Sequence, residues 1–245
     1  RKHGFSADKT LSLAQALYEK KIISYPRTGS RYISEDVFET IPTLLHQLGI
    51  TLSQPLNRHA VDDHRVTDHH ALLPTGESPE GLSPEETMLY QMILSRFIEA
   101  FAPNSEEERM QAELSDGTYR YSWRATHRLS LGWRAYSQDG GKDKAEATDD
   151  EEELLEQLPM LTEGEHLPLR HSEITEHQTK PKPLFTEASL LSAMEHAGRE
   201  LTDAESRKAI AECGLGTPAT RASIIEALIL RELIRREKKT LIPTE

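Results

Sequence analysis

A tyrosine and two arginines lie close together in residues 22–31, which read IISYPRTGSR. Tyr25 precedes Pro26, and the residue before a proline is biased toward extended backbone, so this stretch is not helical. In extended chain, residues two apart project to the same side, which puts Arg27 beside Tyr25. A tyrosine hydroxyl has a pKa of about 10 and is a good nucleophile only when a neighbouring cation or base favours the phenolate. Arg27 or Arg31 could supply that cation.

The chemistry that fits this group is attack on a phosphodiester. The planar guanidinium of Arg27 could bind both non-bridging oxygens while the phenolic oxygen of Tyr25 attacks phosphorus. A simpler interpretation is a core tyrosine in a turn beside surface arginines, because turns of this composition are common in loops. The residue types alone leave both interpretations open.

The densest group of potential metal ligands lies between residues 59 and 70. Its members are His59, Asp62, Asp63, His64, Asp68, His69 and His70. Such a group could hold zinc or a hydrolytic metal pair, which would make the chain a metal-dependent phosphohydrolase. The spacing matches no established zinc pattern, however, and histidine-rich loops also occur simply solvated. The acidic run at residues 149–153 is interpreted as a solvated loop.

A second block suited to phosphate lies at residues 214–222, with the sequence GLGTPATRA. Its glycines let backbone approach a ligand, and Thr217 and Thr220 offer hydroxyls. A helix that begins at Pro218 would present free amide groups and a positive dipole end, and Arg221 could add a charged contact. The alternative is an ordinary glycine-rich turn before a helix.

The net charge of −12 argues at first against a nucleic-acid partner. Its distribution weakens that objection. Residues 139–165 contain eleven acidic residues and two lysines, a net charge of −9, whereas residues 1–60 contain eight basic and five acidic residues, a net charge of +3. The segment around Tyr25 could therefore face a phosphate backbone.

Cysteine content and hydropathy predict the compartment. The single Cys213 cannot form an internal disulfide. No apolar run approaches the roughly 20 residues that a membrane span requires, and no signal segment opens the chain. We therefore expect a soluble cytoplasmic protein, associated with the nucleoid if it binds DNA.

Periodicity predicts an α+β, multidomain fold with helical, winged-helix-like domains flanking an antiparallel β-rich arm. The predicted boundaries are 1–105 for a helical domain that carries Tyr25, 106–184 for the arm and 185–245 for the winged-helix-like domain. In the first domain, residues 6–21 form an amphipathic helix, and Ser34 begins a second helix that Pro42 breaks in two. Ser83 begins a third helix with a capping box.

The arm and the last domain follow from changes of period. Residues 119–126 alternate in hydropathy, as a half-buried strand does, and a similar alternation continues to Trp133. Extended chain returns at residues 167–180. Thr186 then caps a helix over residues 188–196, and residues 231–244 form a hairpin after the helix that begins at Pro218.

Three motifs in this order resemble a known family. Residues 25–30, YPRTGS, resemble the active-site signature of type IA DNA topoisomerases, particularly the topoisomerase III branch, in which the tyrosine becomes linked to a DNA 5′-phosphate. Residues 68–75, DHHALLPT, resemble the second active-site motif, and residues 214–222 resemble a DNA-contacting motif. The likeness runs from about residue 5 to residue 245. One departure is Gly29, where family members often carry an acidic residue.

The resemblance implies a toroidal enzyme that cuts one DNA strand, passes another through the gap and reseals it. It implies a catalytic set of Tyr25, Arg27 and His69. It also implies DNA contacts from Arg31, His70, Gly216, Thr217, Thr220 and Arg221. The β-rich arm would act as a hinge for the gate. A winged-helix module that binds DNA without chemistry is the other alternative to the enzyme.

The resemblance also implies a cofactor and partners. In the family, Mg²⁺-binding carboxylates and a catalytic lysine lie in a preceding N-terminal domain, so no metal is expected in this chain. No matching segment precedes Phe5, and we expect an excised piece that binds single-stranded DNA weakly and neither cleaves nor relaxes DNA alone. The expected partners are single-stranded DNA, underwound duplex DNA and the N-terminal domain of the same protein, with no membrane.

Overall fold

The chain forms two compact units. One comprises Arg1–Thr51, Arg58–Ala100 and Lys182–Glu245, and the other comprises Leu52–Asn57 and Phe101–Pro181. The computed structural model describes residues 3–137, 153–168, 170–174, 176–179, 181–200, 203 and 214–244. Within these ranges, no helix has both the length and the apolar character needed to cross a bilayer.

Helix α1 (Ala7–Glu19) begins as predicted. Ser6 lies in extended backbone, and its side chain accepts a hydrogen bond from the backbone N–H of Lys9. Ala14 and Leu17 are buried in a core cluster with Ile22, Ile23, Leu89 and Tyr90. Burial of one face against this cluster stabilises the helix and fixes its orientation.

The chain reverses sharply at the end of α1. Lys21 has a φ of 62°, in the left-handed region that non-glycine residues rarely adopt. The N–H of Lys21 donates to the carbonyl of Tyr18 (2.8 Å), and the N–H of Ile22 donates to the carbonyl of Leu17 (2.9 Å). This pair of bonds is a Schellman motif, and Ile22 packs in the same core cluster as Leu17. The reversal carries the chain back along the last turn of α1 toward Tyr25.

Helix α2 (Glu35–Gln47) corrects one prediction. Pro42 lies inside the helix and does not divide it. A proline in a helix removes one backbone hydrogen bond and costs about 3 kcal/mol. Here the helix continues because Ile41 and Leu45 on either side of Pro42 are buried and anchor both halves to the core.

Helix α3 (Pro84–Phe101) begins with the predicted capping box. The N–H of Ser83 donates to Oε2 of Glu86 (2.7 Å), and the N–H of Glu86 donates to Oγ of Ser83 (3.2 Å). Lys20 at the end of α1 also donates to both carboxylate oxygens of Glu86. These hydrogen bonds lower the pKa of Glu86. The bond from Lys20 has the larger effect, and the bond from the Ser83 backbone has the next largest. The start of α3 is thereby tied to the end of α1.

The second unit contains a three-stranded sheet. Strand β1 (Glu106–Ser115) pairs antiparallel with β2 (Arg120–Ser130), as predicted for the arm. The short strand β3 (Glu153–Leu155) pairs parallel with β2, so the sheet is not purely antiparallel. The described residues between 167 and 179 contain no strand.

The burial of side chains along β2 does not follow the alternation of hydropathy in its sequence. Ala125 is fully buried, whereas Tyr119 and Tyr121 near the hairpin tip are 66% and 52% exposed. The predicted continuation to Trp133 is wrong, because β2 ends at Ser130 and residues Gly132–Tyr136 form a 3₁₀ helix. A Cβ atom at residue 132 would lie 2.1 Å from the Asn104 carbonyl oxygen, so only glycine allows this close backbone approach.

The C-terminal part of the first unit has the predicted order of helix, helix and hairpin. Its described residues include α4 (Glu187–Glu195), a 3₁₀ helix (Ala197–Glu200), α5 (Arg221–Leu230), β4 (Ile234–Glu237) and β5 (Thr240–Pro243). Thr186 and Ser189 form a capping box at the start of α4. The core of this part is made of Met194, Ile225 and Leu241.

Helix α5 begins three residues later than predicted. The carbonyl of Thr217 accepts bonds from the N–H groups of both Thr220 and Arg221, so residues 217–220 form a turn that precedes the helix. The interpretations of Cys213 and of residues 149–152 concern positions outside the described residues.

Candidate active site

Two segments distant in sequence form the candidate site. We call residues 25–31 the Tyr25 loop and residues 68–75 the His69 segment. Immediately before the loop, the N–H of Ser24 donates to the Leu73 carbonyl (2.8 Å), and the N–H of Leu73 donates to Oγ of Ser24 (2.9 Å). Ile23 and Pro74 form an antiparallel bridge. Just after the loop, the N–H of Ala71 donates to the Tyr32 carbonyl (2.8 Å). The two segments are therefore joined at both ends of the loop.

Tyr25 packs between the elements that these bonds bring together. Its ring centroid lies 4.6 Å from that of His69, with the planes tilted by 48°. It also lies 5.4 Å from the ring of Tyr18 on α1, in an edge-to-face arrangement with an interplanar angle of 78°. The family resemblance implied one catalytic set for Tyr25 and His69, and the structure brings their rings into contact.

A threonine that the sequence analysis assigned no role holds His69 in place. The hydroxyl of Thr28 donates to the backbone carbonyl of His69 (3.0 Å) and accepts from the N–H of Ser30 (3.1 Å). One side chain thus links the middle of the Tyr25 loop to the His69 segment. Its position directly after Arg27 in the motif was the only signal available in the sequence.

Arg27 is exposed and lines a shallow pocket with the outer face of α1, beside Asp8, Gln15 and Glu19. Its guanidinium forms no hydrogen bond or ion pair with any residue that the structure describes. An arginine in this state keeps its planar set of donors available for an incoming phosphate.

Arg31 and His70 are already engaged. Nη2 of Arg31 donates to both carboxylate oxygens of Glu195 on α4, at 3.1 and 3.0 Å. Nδ1 of His70 lies 2.7 Å from the carbonyl of its neighbour Ala71. A phosphate would have to compete with Glu195 for Arg31. In His70, Nδ1 is engaged by the Ala71 carbonyl, and Nε2 lies outside that contact.

We call residues 214–221 the glycine loop, and its polar groups bind largely to one another. Arg221 donates through Nε to the Leu215 carbonyl and through Nη2 to the Gly216 carbonyl, both at 3.1 Å. Oγ1 of Thr220 accepts from the N–H of Thr217 (2.9 Å), and the two threonine hydroxyls lie 3.0 Å apart. These bonds fix the shape of the loop from within.

The Tyr25 loop and the glycine loop meet. A Cβ atom added to Gly29 would lie 3.5 Å from Cγ of Pro218, an ordinary van der Waals contact. Pro26 and Pro218 also line one cleft of about 530 Å³, whose rim carries Arg236, Lys238 and Lys239. The position where family members often carry an acidic residue therefore has room for a side chain in this chain.

The described residues contain no group of three or more His, Cys, Asp or Glu side chains arranged to hold a metal ion. All residues from 59 to 70 are described. Asp62 instead accepts a bond from the N–H of His64 and pairs with Arg65. The geometry thus gives no support to a metal-dependent phosphohydrolase at this segment.

The sequence comparisons agree with the three motifs. A family model described as DNA topoisomerase matches residues 1–245. The chain belongs to this DNA topoisomerase family. DNA topoisomerase 3 of Bacillus licheniformis is 37% identical over 266 residues, which cover 100% of this chain and 35% of that protein. DNA topoisomerase 3 of Shouchella clausii is 34% identical over 257 residues, covering 98% and 34%. The resemblance to the topoisomerase III branch is confirmed.

The solved structures include one with the same topoisomerase fold. Full-length topoisomerase I from Thermotoga maritima superposes with a TM-score of 0.60 at 24% identity, covering 99% of this chain and 38% of that one. The mixed helical and sheet architecture is therefore that of a topoisomerase. The chain spans about a third of the length of the DNA topoisomerase 3 relatives that it matches.

Proposed function

We propose that this chain supplies the nucleophile of a type IA DNA topoisomerase, which cleaves one DNA strand transiently, passes a strand through the gap and reseals it. The observation that carries the proposal is the contact between Tyr25 and His69, with Arg27 two residues from the tyrosine and not bonded to any residue in the described ranges. Family membership supports it independently. Changes in supercoiling or catenation would be the outcome.

The proposed reaction is a transesterification. The phenolic oxygen of Tyr25 attacks phosphorus, the bond from phosphorus to the 3′ oxygen breaks, and the leaving oxygen takes up a proton as a 3′-hydroxyl. The phenolic proton passes to solvent or a nearby base. The 5′-phosphate stays bonded to Tyr25. Because one phosphodiester replaces another, the freed 3′-hydroxyl can reverse the reaction without a nucleotide cofactor.

The roles proposed for the neighbouring residues combine the family resemblance with their positions in the structure. Arg27 would bind the non-bridging oxygens and stabilise the charge that grows on them. His69, exposed beside the Tyr25 ring, would hold or polarise the phosphate. The glycine loop would bind the strand further along at Gly216, Thr217, Thr220 and Arg221, mainly through the backbone shape that their mutual hydrogen bonds maintain. Arg31 and His70 would contribute secondary DNA contacts.

We propose that Mg²⁺ acts through a preceding domain of the same protein, which would be this chain's partner. The preceding domain is the proposed source of the Mg²⁺ ligands, since the part of the chain that the structure describes has no group of three or more His, Cys, Asp or Glu side chains that could hold a metal ion. Single-stranded and underwound duplex DNA are the proposed substrates, and a cytoplasmic, nucleoid-associated location would follow. The chain alone would bind single-stranded DNA weakly without cleaving it. This expectation would be contradicted if the chain alone relaxed a plasmid and Tyr25→Phe abolished that relaxation.

The division into three domains at residues 105 and 184 belongs to the same proposal. In it, the β1–β2 arm is the hinge of the gate, and α4, α5 and the β4–β5 hairpin form a winged-helix-like DNA-binding domain. The order of helix, helix and hairpin supports this assignment. The alternative is a winged-helix module that only binds DNA. The trapping experiment with Tyr25→Phe, described next, distinguishes this module from the proposed enzyme.

The test is covalent trapping. The relatives are about three times longer than this chain. The test therefore uses a chimera, in which this chain replaces the matching region of Bacillus licheniformis DNA topoisomerase 3. A single-stranded oligonucleotide with a 3′-end label is incubated with this chimera and Mg²⁺, and denaturant is added. We expect a labelled protein adduct, since the label lies on the fragment that keeps its 5′-phosphate on tyrosine.

Tyr25→Phe removes the nucleophilic oxygen and should abolish the adduct. Tyr32→Phe, seven residues along, should retain it. An adduct that survives Tyr25→Phe would refute the proposal. DNA binding without an adduct in any variant would favour the non-catalytic module instead.

A further inference from the structure

Tyr18 lies beside the proposed nucleophile, and no role has yet been given to it. Its ring meets the ring of Tyr25 edge to face at 5.4 Å between centroids, and its side chain is 39% exposed. Ala14 and Leu17, one turn and one residue earlier, are buried in the core. Tyr18 is therefore only half covered, and its ring contact with Tyr25 distinguishes it from a residue that merely fills the core.

The backbone of Tyr18 fixes the same relationship. Its carbonyl accepts the N–H of Lys21 in the Schellman motif that ends α1. That motif reverses the chain, and four residues after Lys21 the ring of Tyr25 meets the ring of Tyr18. Backbone and side chain of one residue thus set both the path and the orientation of the nucleophile's segment.

We propose that Tyr18 is a positioning residue for the transesterification, which rests on the proposed role of Tyr25. A phenol ring held only at its backbone can rotate about two side-chain torsions. Contacts with Tyr18 and His69 restrict that rotation and keep the phenolic oxygen where a phosphate bound by Arg27 can meet it. The part that matters is the ring of Tyr18, whose edge-to-face contact does not require its hydroxyl.

The test compares two substitutions in the chimera described above. Tyr18→Phe keeps the ring and should form adduct at a rate within about two-fold of wild type. Tyr18→Leu removes the ring and should slow adduct formation at saturating DNA by roughly 10- to 100-fold, because small misplacements of reacting groups have effects of this size. DNA affinity should change by less than about two-fold, since Tyr18 binds no phosphate. Tyr136→Leu, which removes a tyrosine of similar exposure (37%), should have no effect.

A spectroscopic measurement on the chain itself separates positioning from general damage. In ¹³C-tyrosine-labelled protein, the Tyr25 signal is identified by its loss in Tyr25→Phe. The part of the ring-current shift that comes from the Tyr18 ring should persist in Tyr18→Phe and be lost in Tyr18→Leu, while the part from His69 remains and the melting temperature stays close to wild type. Unchanged adduct rate and unchanged Tyr25 shift in Tyr18→Leu would overturn the inference, even if Tyr25 proves to be the nucleophile. An adduct that survives Tyr25→Phe would instead refute the proposed function.

Discussion

The Tyr25 loop and the glycine loop are both suited to phosphate, yet they use their polar groups differently. In the Tyr25 loop, Arg27 is exposed and forms no bond with any described residue, and the ring of Tyr25 packs against the rings of Tyr18 and His69. In the glycine loop, Arg221 bonds the backbone and the threonine hydroxyls bond each other. In the Tyr25 loop, Tyr25 and Arg27 remain available for chemistry although Thr28 and Arg31 are engaged, whereas the glycine loop uses its side chains to hold a backbone shape.

The difference indicates a division of labour. A reacting centre needs donors that a substrate can claim as charge develops on it. A binding surface along a strand needs a stable contour that backbone groups can present. Substitutions in the first loop should therefore alter rates, and substitutions in the second should alter stability and, through it, affinity.

Arg27→Ala should have the largest effect. Loss of one donor to the developing charge should reduce the rate of adduct formation in the chimera by about 100- to 1,000-fold. Thermal stability should stay unchanged, because the side chain is exposed. Arg27→Lys should recover only part of the rate, since an ammonium group cannot bind two phosphate oxygens in a plane. A rate loss below about three-fold in Arg27→Ala would show that the two loops do not differ in this way.

Gly214→Ala should be next, and its effect should be on stability. Residue 214 has a φ of 63°, and a Cβ atom there would lie 2.6 Å from the Met194 carbonyl oxygen. We expect the free energy of unfolding to fall by about 1–3 kcal/mol in urea titrations. Gly81→Ala is the matched control, because Gly81 has a φ of 70° with nothing within 4 Å of the added atom. Equal losses in both variants would mean that the contact with α4 contributes nothing.

Arg221→Ala should have a smaller effect on the same measurement. It removes the hydrogen bonds from Nε to the Leu215 carbonyl and from Nη2 to the Gly216 carbonyl, both on exposed residues, for a loss of about 1 kcal/mol. Arg231→Ala at the other end of α5 should change the free energy of unfolding by less than about 0.5 kcal/mol. If Arg221→Ala left stability unchanged and weakened DNA binding alone, Arg221 would belong with Arg27 as a ligand-binding side chain.

Local signals in the sequence predicted the element boundaries well wherever a cap was present. Ser6, the Ser83 box and Thr186 all begin helices where expected, because a cap acts within four residues of itself. The break at Pro42 was wrong because burial of Ile41 and Leu45 is a tertiary effect that outweighs a local penalty. The predicted start of α5 at Pro218 was three residues too early. Residues 217–220 form a separate turn, in which the N–H of Thr217 donates to Oγ1 of Thr220.

The candidate site was predictable in composition but not in assembly. Residue types and the family resemblance pointed to Tyr25, Arg27 and His69. Ser24 and Leu73 are bonded to each other but lie 49 residues apart in sequence, and no periodicity indicates such a contact. The contact of Tyr18 with Tyr25 was not predicted, because the left-handed turn at Lys21 that directs Tyr25 toward Tyr18 carries no glycine signal.

The pairing of Ser24 with Leu73 also has a consequence during synthesis. Tyr25 leaves the ribosome well before the segment that packs against it, and the intervening 49 residues take roughly 2–10 s to translate at typical rates. Throughout that interval the phenol has no His69 beside it and no fixed orientation. A chain that stalls or is truncated before residue 73 would carry the proposed nucleophile without the segment that orients it, so we expect incomplete products to leave DNA uncut.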